Sequence, residues 1–323
     1  MKYRPLRTIL SATLLFAAAL TPLPLHAAEN PFIGRWALTL PHGGAGWLGV
    51  EQKGEGLAAS LLWGGGSVLP VGEVSVSGDT LLIHTPAGKV TREITATRTG
   101  DDLALTTANL AADGTKSQPE PFAGHRIADV PPAPDLSKVV FGAPINLLAG
   151  DLDATWRLVD EKDLNGWSLK DGLLINRLPE GKHPRLGNLR TKEVFTDFRI
   201  TTEVRTQPGS NSGIYLRGIY EIQVAETYGK PVDSHNMGAL YSRITPSVAA
   251  EKPVGEWQTF DITLVDRHVT VILNGTRIID NQPVLGCTGG AMTSDESLPG
   301  PIMLQGDHTT IDYRNMEIFP VKK

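Results

Sequence analysis

The sequence predicts an all-β protein in two parts, on three observations. Short runs of alternating apolar and polar residues recur along most of the chain, separated by Gly-, Asp- and Pro-containing turns. Successive side chains of a strand point to opposite faces, so such runs mark half-buried strands. A Pro-rich stretch without periodicity, Asp129-Val-Pro-Pro-Ala-Pro-Asp135, divides the chain and reads as a stiff extended linker. No run reads as a helix of substance.

Residues 1–28 stand apart. Lys2, Arg4 and Arg7 form a positive n-region, Ile9 to Leu20 an apolar h-region, and His26-Ala27-Ala28 a small-residue cleavage site. This is the pattern of a secretory signal peptide, too short and wrongly flanked for a membrane span. No Cys follows it, so a lipid anchor is not expected, and no later segment is apolar enough to cross a bilayer. The expected location is periplasmic or secreted. Cleavage removes three positive charges, taking the net charge from −5 to −8 (−5 − 3). An acidic exported chain is a poor partner for nucleic acid or anionic lipid. Cys287 is the single cysteine, which rules out an internal disulfide. It sits in a Gly-rich loop and reads as a small packed residue rather than a nucleophile.

Residues 29–128 are expected to form a small antiparallel β-domain, barrel or sandwich, with strands near 47–53, 57–63, 68–76, 80–84, 90–97 and 103–108. The opening Gly34-Arg35-Trp36 is similar to the GxW that starts lipocalin-like barrels. Trp36, Trp47 and Trp63 read as core anchors in preference to sugar-stacking platforms. Residues 129–150 are the linker. Residues 151–320 return to β with longer strands: Phe195 to Val204, Trp257 to Val265, Val269 to Leu273 turning at Asn274-Gly275, Ile302 to Leu304, and Ile311 to Ile318. They are expected to make a two-sheet sandwich with one curved face.

The functional signal lies in Gly209–Val224, GSNSGIYLRGIYEIQV, and in the LQGDH of 304–308. Ile222 and Val224 can face a core while Glu221 and Gln223 share the opposite face, and Tyr215 and Arg217 alternate with Ile214 and Leu216. Carboxylate, amide and guanidinium on a rigid surface suit a polyhydroxylated ligand, so a small carbohydrate is the expected partner. Each residue also has a plainer reading. Glu221 suits a solvated strand face, and Asp307-His308 suits a turn and its hydrogen-bond partner. Asn211 and Ser212 read as turn-shaping residues, His235 as a weak ligand in a loop with Asp233 and Asn236, and Arg314 as a structural arginine paired with Asp280 or Asp312. Glu221, His235, Asp307 and His308 have chemistry suited to a divalent cation, but no HxxxH spacing or calcium loop supports one, and no metal is expected. No P-loop or Gly-rich strand-to-helix turn is present, so no nucleotide cofactor is expected either. The oligomeric state is not legible.

Seven ordered motifs carry a resemblance: SNSGIYLRG, YEIQV, GALY at 238–241, GEWQTFDI at 255–262, ILNG at 272–275, GPIMLQGDH at 300–308 and YRNMEI at 313–318. Together they resemble the 3-keto-disaccharide hydrolase domain over roughly 153–320. The resemblance implies a concanavalin A-like jelly roll acting on glycosides oxidised at C3. It also implies that Arg217, Asp307, His308 and Arg314 lie near Glu221 as candidates for the acid and donor roles; Asp307 and His308 join Glu221 as expected catalytic residues, and Arg217, Gln223, Tyr215, Gln305, His235 and Arg314 are the expected substrate-binding groups. A 3-keto group acidifies the C2 proton; a base removes it, the enolate expels the C1 substituent, and water adds back. That route needs one base, donors for the enolate oxygen and an acid for the leaving group. It does not need the paired carboxylates of ordinary glycosidases. Glu221 is the leading candidate for base or acid. The reading from another class is a lectin-like protein that binds glycan without turnover.

Overall fold

A computed structural model describes Met1, residues 30–179, Gly181 and residues 185–322. Residues 2–29, which hold nearly all of the expected signal peptide, lie outside the described residues. Nearly all regular structure is strand, as the alternation predicts; the one α-helix among the described residues, Leu152–Thr155, is a single turn.

The first sheet is built from β1 (Gly34–Thr39), β2 (Ala45–Lys53), β3 (Gly56–Trp63), β4 (Leu69–Pro70), β5 (Glu73–Ser77), β6 (Thr80–Ala87), β7 (Val90–Thr99), β8 (Asp102–Leu110) and β9 (Glu120–Arg126). They run antiparallel in the order β4-β3-β2-β1-β9-β8-β7-β6-β5, and the sheet curls until β3 touches β5. Its inner face is one cluster: Trp36, Leu38, Leu48, Val50, Leu61, Leu81, Ile83, Ile94, Leu103 and Leu105 are all buried. The expected run 68–76 is two strands, broken at Val71-Gly72. Strand β9 was not expected, because Pro119, Pro121 and Gly124 mask it. Pro121 is tolerated because β1 pairs only with Ala123–Arg126, so at Pro121 the strand has β8 alone as neighbour.

The second part contains β10 (Ile145–Asn146), β11 (Trp156–Leu158), β12 (Trp167–Lys170), β13 (Leu173–Asn176), β14 (Leu189–Thr191), β15 (Phe198–Arg205), β16 (Asn211–Leu216), β17 (Tyr220–Ala225), β18 (Trp257–Val265), β19 (His268–Leu273), β20 (Thr276–Pro283), β21 (Met303–Leu304) and β22 (Ile311–Pro320). Two antiparallel sheets form, one ordered β12-β13-β22-β15-β18-β19-β20 with β10 beside β22, the other β11-β14-β21-β16-β17. Asn274 and Gly275 close the β19–β20 hairpin with φ of 51° and 81°, the primed-turn geometry their sequence favours. Phe195 falls outside β15 and makes only an isolated bridge to Gly300.

The sandwich core joins Phe198, Ile200 and Val204 of one sheet to Ile214, Leu216, Ile222 and Val224 of the other, with Phe260, Ile262, Leu264 and Ile318. Trp47 and Leu62 of the first sheet belong to this same cluster, and residues from Phe32 onward form one compact unit. Across the contact the Ser294 hydroxyl donates to the Leu38 carbonyl at 2.8 Å. No described helix is long and apolar enough to cross a membrane.

Candidate active site

The five-stranded sheet positions the site. In the β16–β17 hairpin Tyr215 stands opposite Glu221 and Gly213 opposite Gln223, so three of the predicted residues share one face. The alternate residues Ile214, Ile222 and Val224 are fully buried in the core behind them. Gly213 makes room for the carboxyl: a Cβ there would stand 2.4 Å from Glu221 Oε1. Segment 237–241 runs along the free edge of β17. The Tyr241 amide donates to the Glu221 carbonyl at 3.0 Å, and this brings the Tyr241 ring to the same face. The loop after β21 supplies Gln305, Asp307 and His308. It is fixed from three sides: Asn176 Nδ2 donates to the carbonyls of Gly306 and Thr309, the Gly306 amide donates to Asn188 Oδ1, and the Thr309 hydroxyl donates to the Asn211 carbonyl.

These groups line a cavity of about 190 Å³, together with Arg185, Asn188, Asn211, Gly65, Gly289 and Gly290. Glu221 is 3 % exposed, and burial pushes its carboxyl up to about 8. A hydrogen bond with Tyr215 opposes that shift, and the Asp307 charge adds to it. The Tyr215 hydroxyl donates to the Gly289 carbonyl at 2.8 Å while lying within reach of the carboxyl. The single Tyr215 hydrogen serves either the Gly289 carbonyl or the ionised Glu221 carboxylate; bonded to Gly289, the hydroxyl leaves its oxygen to accept from the protonated acid. At Asp307 burial alone would raise the pKa, yet the hydrogen bond and charge of His308, with Arg185, hold it below the usual carboxylate range. Its two oxygens are engaged separately, Oδ1 with His308 Nδ1 at 2.6 Å and Oδ2 with Arg185 at 3.2 Å. The same bond raises the His308 pKa against the opposing effect of burial. Gln223 Oε1 accepts from the Val224 amide, leaving its NH2 free to donate, and Gln305 Oε1 is buried and unpaired among the described residues.

Glu221, Asp307, His308, Gln223, Tyr215 and Gln305 thus meet in one place. Arg217, Arg314 and His235 do not line the cavity. Arg217 lies in the tight turn between β16 and β17 with φ of 57°, which breaks the strand parity and buries its guanidinium against the carbonyls of Glu296 and Leu298. Arg314 belongs to the other sheet. It donates twice to Glu203 Oε2 and covers the Trp257 ring at 4.0 Å, so its partner is neither Asp280 nor Asp312. His235 sits one layer back, edge-on to Tyr241 with ring centroids 4.9 Å apart. Trp36, Trp47 and Trp63 do not line the cavity either. Asn211 and Ser212 are not turn residues. They open β16, Asn211 lines the cavity, and the Ser212 hydroxyl donates to the Gln305 carbonyl. Sequence reading also missed Arg185, Asn188, Tyr241 and Gly65. All four come from loops without periodicity, and only the GALY motif pointed near one of them. Among the described residues no three His, Cys, Asp or Glu side chains converge to hold a metal.

A buried carboxyl of raised pKa, a carboxylate–imidazole pair and several fixed amides lining one cavity on a β-sandwich fit a carbohydrate-active enzyme. The model of the 3-keto-alpha-glucoside-1,2-lyase-like domain matches residues 155–319, and the chain belongs to that family. Among solved structures it is similar to three proteins of Parabacteroides distasonis described as candidate glycosyl hydrolases. The first is 29 % identical, with a TM-score of 0.43 over 59 % of this chain and 92 % of the other. The second is 19 % identical, with a TM-score of 0.44 over 55 % and 93 %. The third is 23 % identical, with a TM-score of 0.41 over 55 % and 98 %. No curated protein matches.

Proposed function

We propose that this protein cleaves 3-keto-glycosides, 3-keto-disaccharides among them, by elimination and rehydration. The observation that carries the reading is Glu221: a single buried carboxyl with a pKa near 8, set on the cavity floor. In its ionised form such a group is a strong base, matched to a carbon acid such as the C2–H beside a ketone. Glu221 takes the C2 proton. The electron pair moves into a C2–C3 enolate whose oxygen Gln223, Asn188 and Arg185 are suited to stabilise. His308, whose charged form Asp307 favours, gives its proton to the C1 oxygen as that bond breaks. Water then adds at C1, C2 is reprotonated, and the 3-keto sugar is released. No metal or other cofactor takes part in this scheme.

One observation favours a second reading. Glu221 and Asp307 share the cavity with pKa values moved apart, as in an ordinary two-carboxylate glycosidase. Against it, both Asp307 oxygens are occupied by His308 and Arg185, which suits an orienting group better than a nucleophile. Incubation with a 3-keto-disaccharide and its unoxidised parent separates the readings. Cleavage of the keto compound alone is expected. Equal cleavage of both supports the ordinary glycosidase, and binding without cleavage supports the lectin. Export belongs to the same proposal, and N-terminal sequencing of the protein recovered outside the cytoplasm tests it at Ala28–Glu29.

A further inference from the structure

The first sheet reaches the cavity at one place, the turn Gly64–Ser67 between β3 and β4, where Gly65 forms part of the lining. The turn is fastened to the sandwich on both sides of the lining residue. The Gly64 carbonyl accepts from the Gly290 amide at 3.3 Å. Ser67 Oγ meets His235 Nε2 at 2.9 Å, and the Val68 amide donates to Ser242 Oγ at 2.8 Å. Backbone lies on backbone between them: a Cβ on Gly289 would stand 2.2 Å from the Gly66 carbonyl oxygen. Each anchor leads to the reacting centre in one step. Gly289 receives the Tyr215 hydroxyl, opposite Glu221, and His235 packs on Tyr241. The turn lies far outside residues 155–319, so the domain match assigns it nothing.

Sheet order fixes which flank it occupies. Asn188 precedes β14, and Gln305 to His308 follow β21, on one side of β16 and β17. Tyr241 lies beyond the opposite edge of β17, and the turn is tied to that side through Ser242 and His235. The first flank is rich in charged and amide groups suited to the hydroxyls and ketone of one ring, with His308 placed for the C1 oxygen that joins this ring to the leaving group. The second is bare backbone beside an aromatic ring, a surface for the flat apolar side of a second ring. The glycines there leave space, since a Cβ on Gly65 or Gly66 would meet no atom within 4 Å.

We infer that the Gly64–Ser67 turn is the leaving-group wall of the site, and that it determines how large a C1 substituent the enzyme accepts. The inference rests on the 3-keto-glycoside reading above. Gly65 is the specificity-determining position, and its φ lies outside the left-handed region, so a side chain there is not strained.

The test compares wild type, Gly65→Ala and Gly65→Leu on a 3-keto-disaccharide and on methyl 3-keto-glucoside, whose leaving group is one carbon. Unchanged circular dichroism checks the fold. For Gly65→Leu, kcat/KM on the disaccharide is expected to fall by about tenfold or more, mostly through KM, as lost room in a pocket does. The methyl glycoside should change by less than about threefold, and Gly65→Ala should fall between. Equal losses on both substrates, or none on either, overturn the inference while leaving the functional reading standing. A wild-type protein that cleaves neither substrate overturns the functional reading itself, and the inference with it.

Discussion

At the scale of the residue, the proposed chemistry turns on where Glu221 keeps its proton. A carboxyl raised to about 8 is mostly neutral at pH 7, so kcat/KM should climb with pH toward 8 as the base ionises. It should fall again as His308, raised by Asp307, loses the proton it must donate. Glu221→Gln should lower kcat by about 10²–10⁴-fold and abolish the rising limb. The same group predicts a stability effect of opposite sign. Unfolded Glu221 ionises near 4.5 and folded Glu221 near 8, so its contribution is fully present below the lower value and is lost as pH rises through the higher. Glu221→Gln should therefore melt progressively higher relative to wild type between pH 4.5 and 8. Parallel melting curves across that range would place the carboxyl in water.

At the scale of the element, the β16–β17 hairpin does the positioning. Gly213→Ala should disturb the site before the backbone, because the three atoms nearest the added Cβ all belong to the Glu221 side chain. It should cost activity by moving that carboxyl. Retained kcat in Gly213→Ala would show that Glu221 has no fixed place. This hairpin was legible because parity alone puts Glu221 and Gln223 on one face. Strand β9 was not legible, since Pro121 and Gly124 hide a strand that only tertiary pairing makes acceptable. Arg217 misled for a related reason: alternation ends where a turn with positive φ begins, and its side chain follows the turn rather than the strand. The LQGDH loop was readable as a motif, while its opposite wall, Tyr241 and Gly65, comes from segments no periodicity connects to it.

At the scale of the whole molecule, the fold class and the two-sheet sandwich followed from alternation and turn chemistry. The union of the first sheet with the sandwich core did not, because contacts such as Trp47 with the second part carry no local signature. Cys287 reports on that union. It is buried at the contact, with Sγ 3.9 Å from the Gly46 carbonyl, and burial pushes its thiol up to about 12. Iodoacetamide should leave the native protein unlabelled and label one thiol after denaturation. Rapid labelling of native protein would mean that the two parts separate in solution.

The central claim is that cleavage begins with loss of the C2 proton to Glu221. A single-turnover measurement on a 3-keto-disaccharide carrying deuterium at C2, beside the protiated compound, tests it most directly. A slower rate for the deuterated substrate is predicted, with the effect largest below pH 8, where the base is scarce. Identical single-turnover rates for the two compounds at every pH would contradict it, because direct displacement at C1 leaves the C2–H bond unbroken.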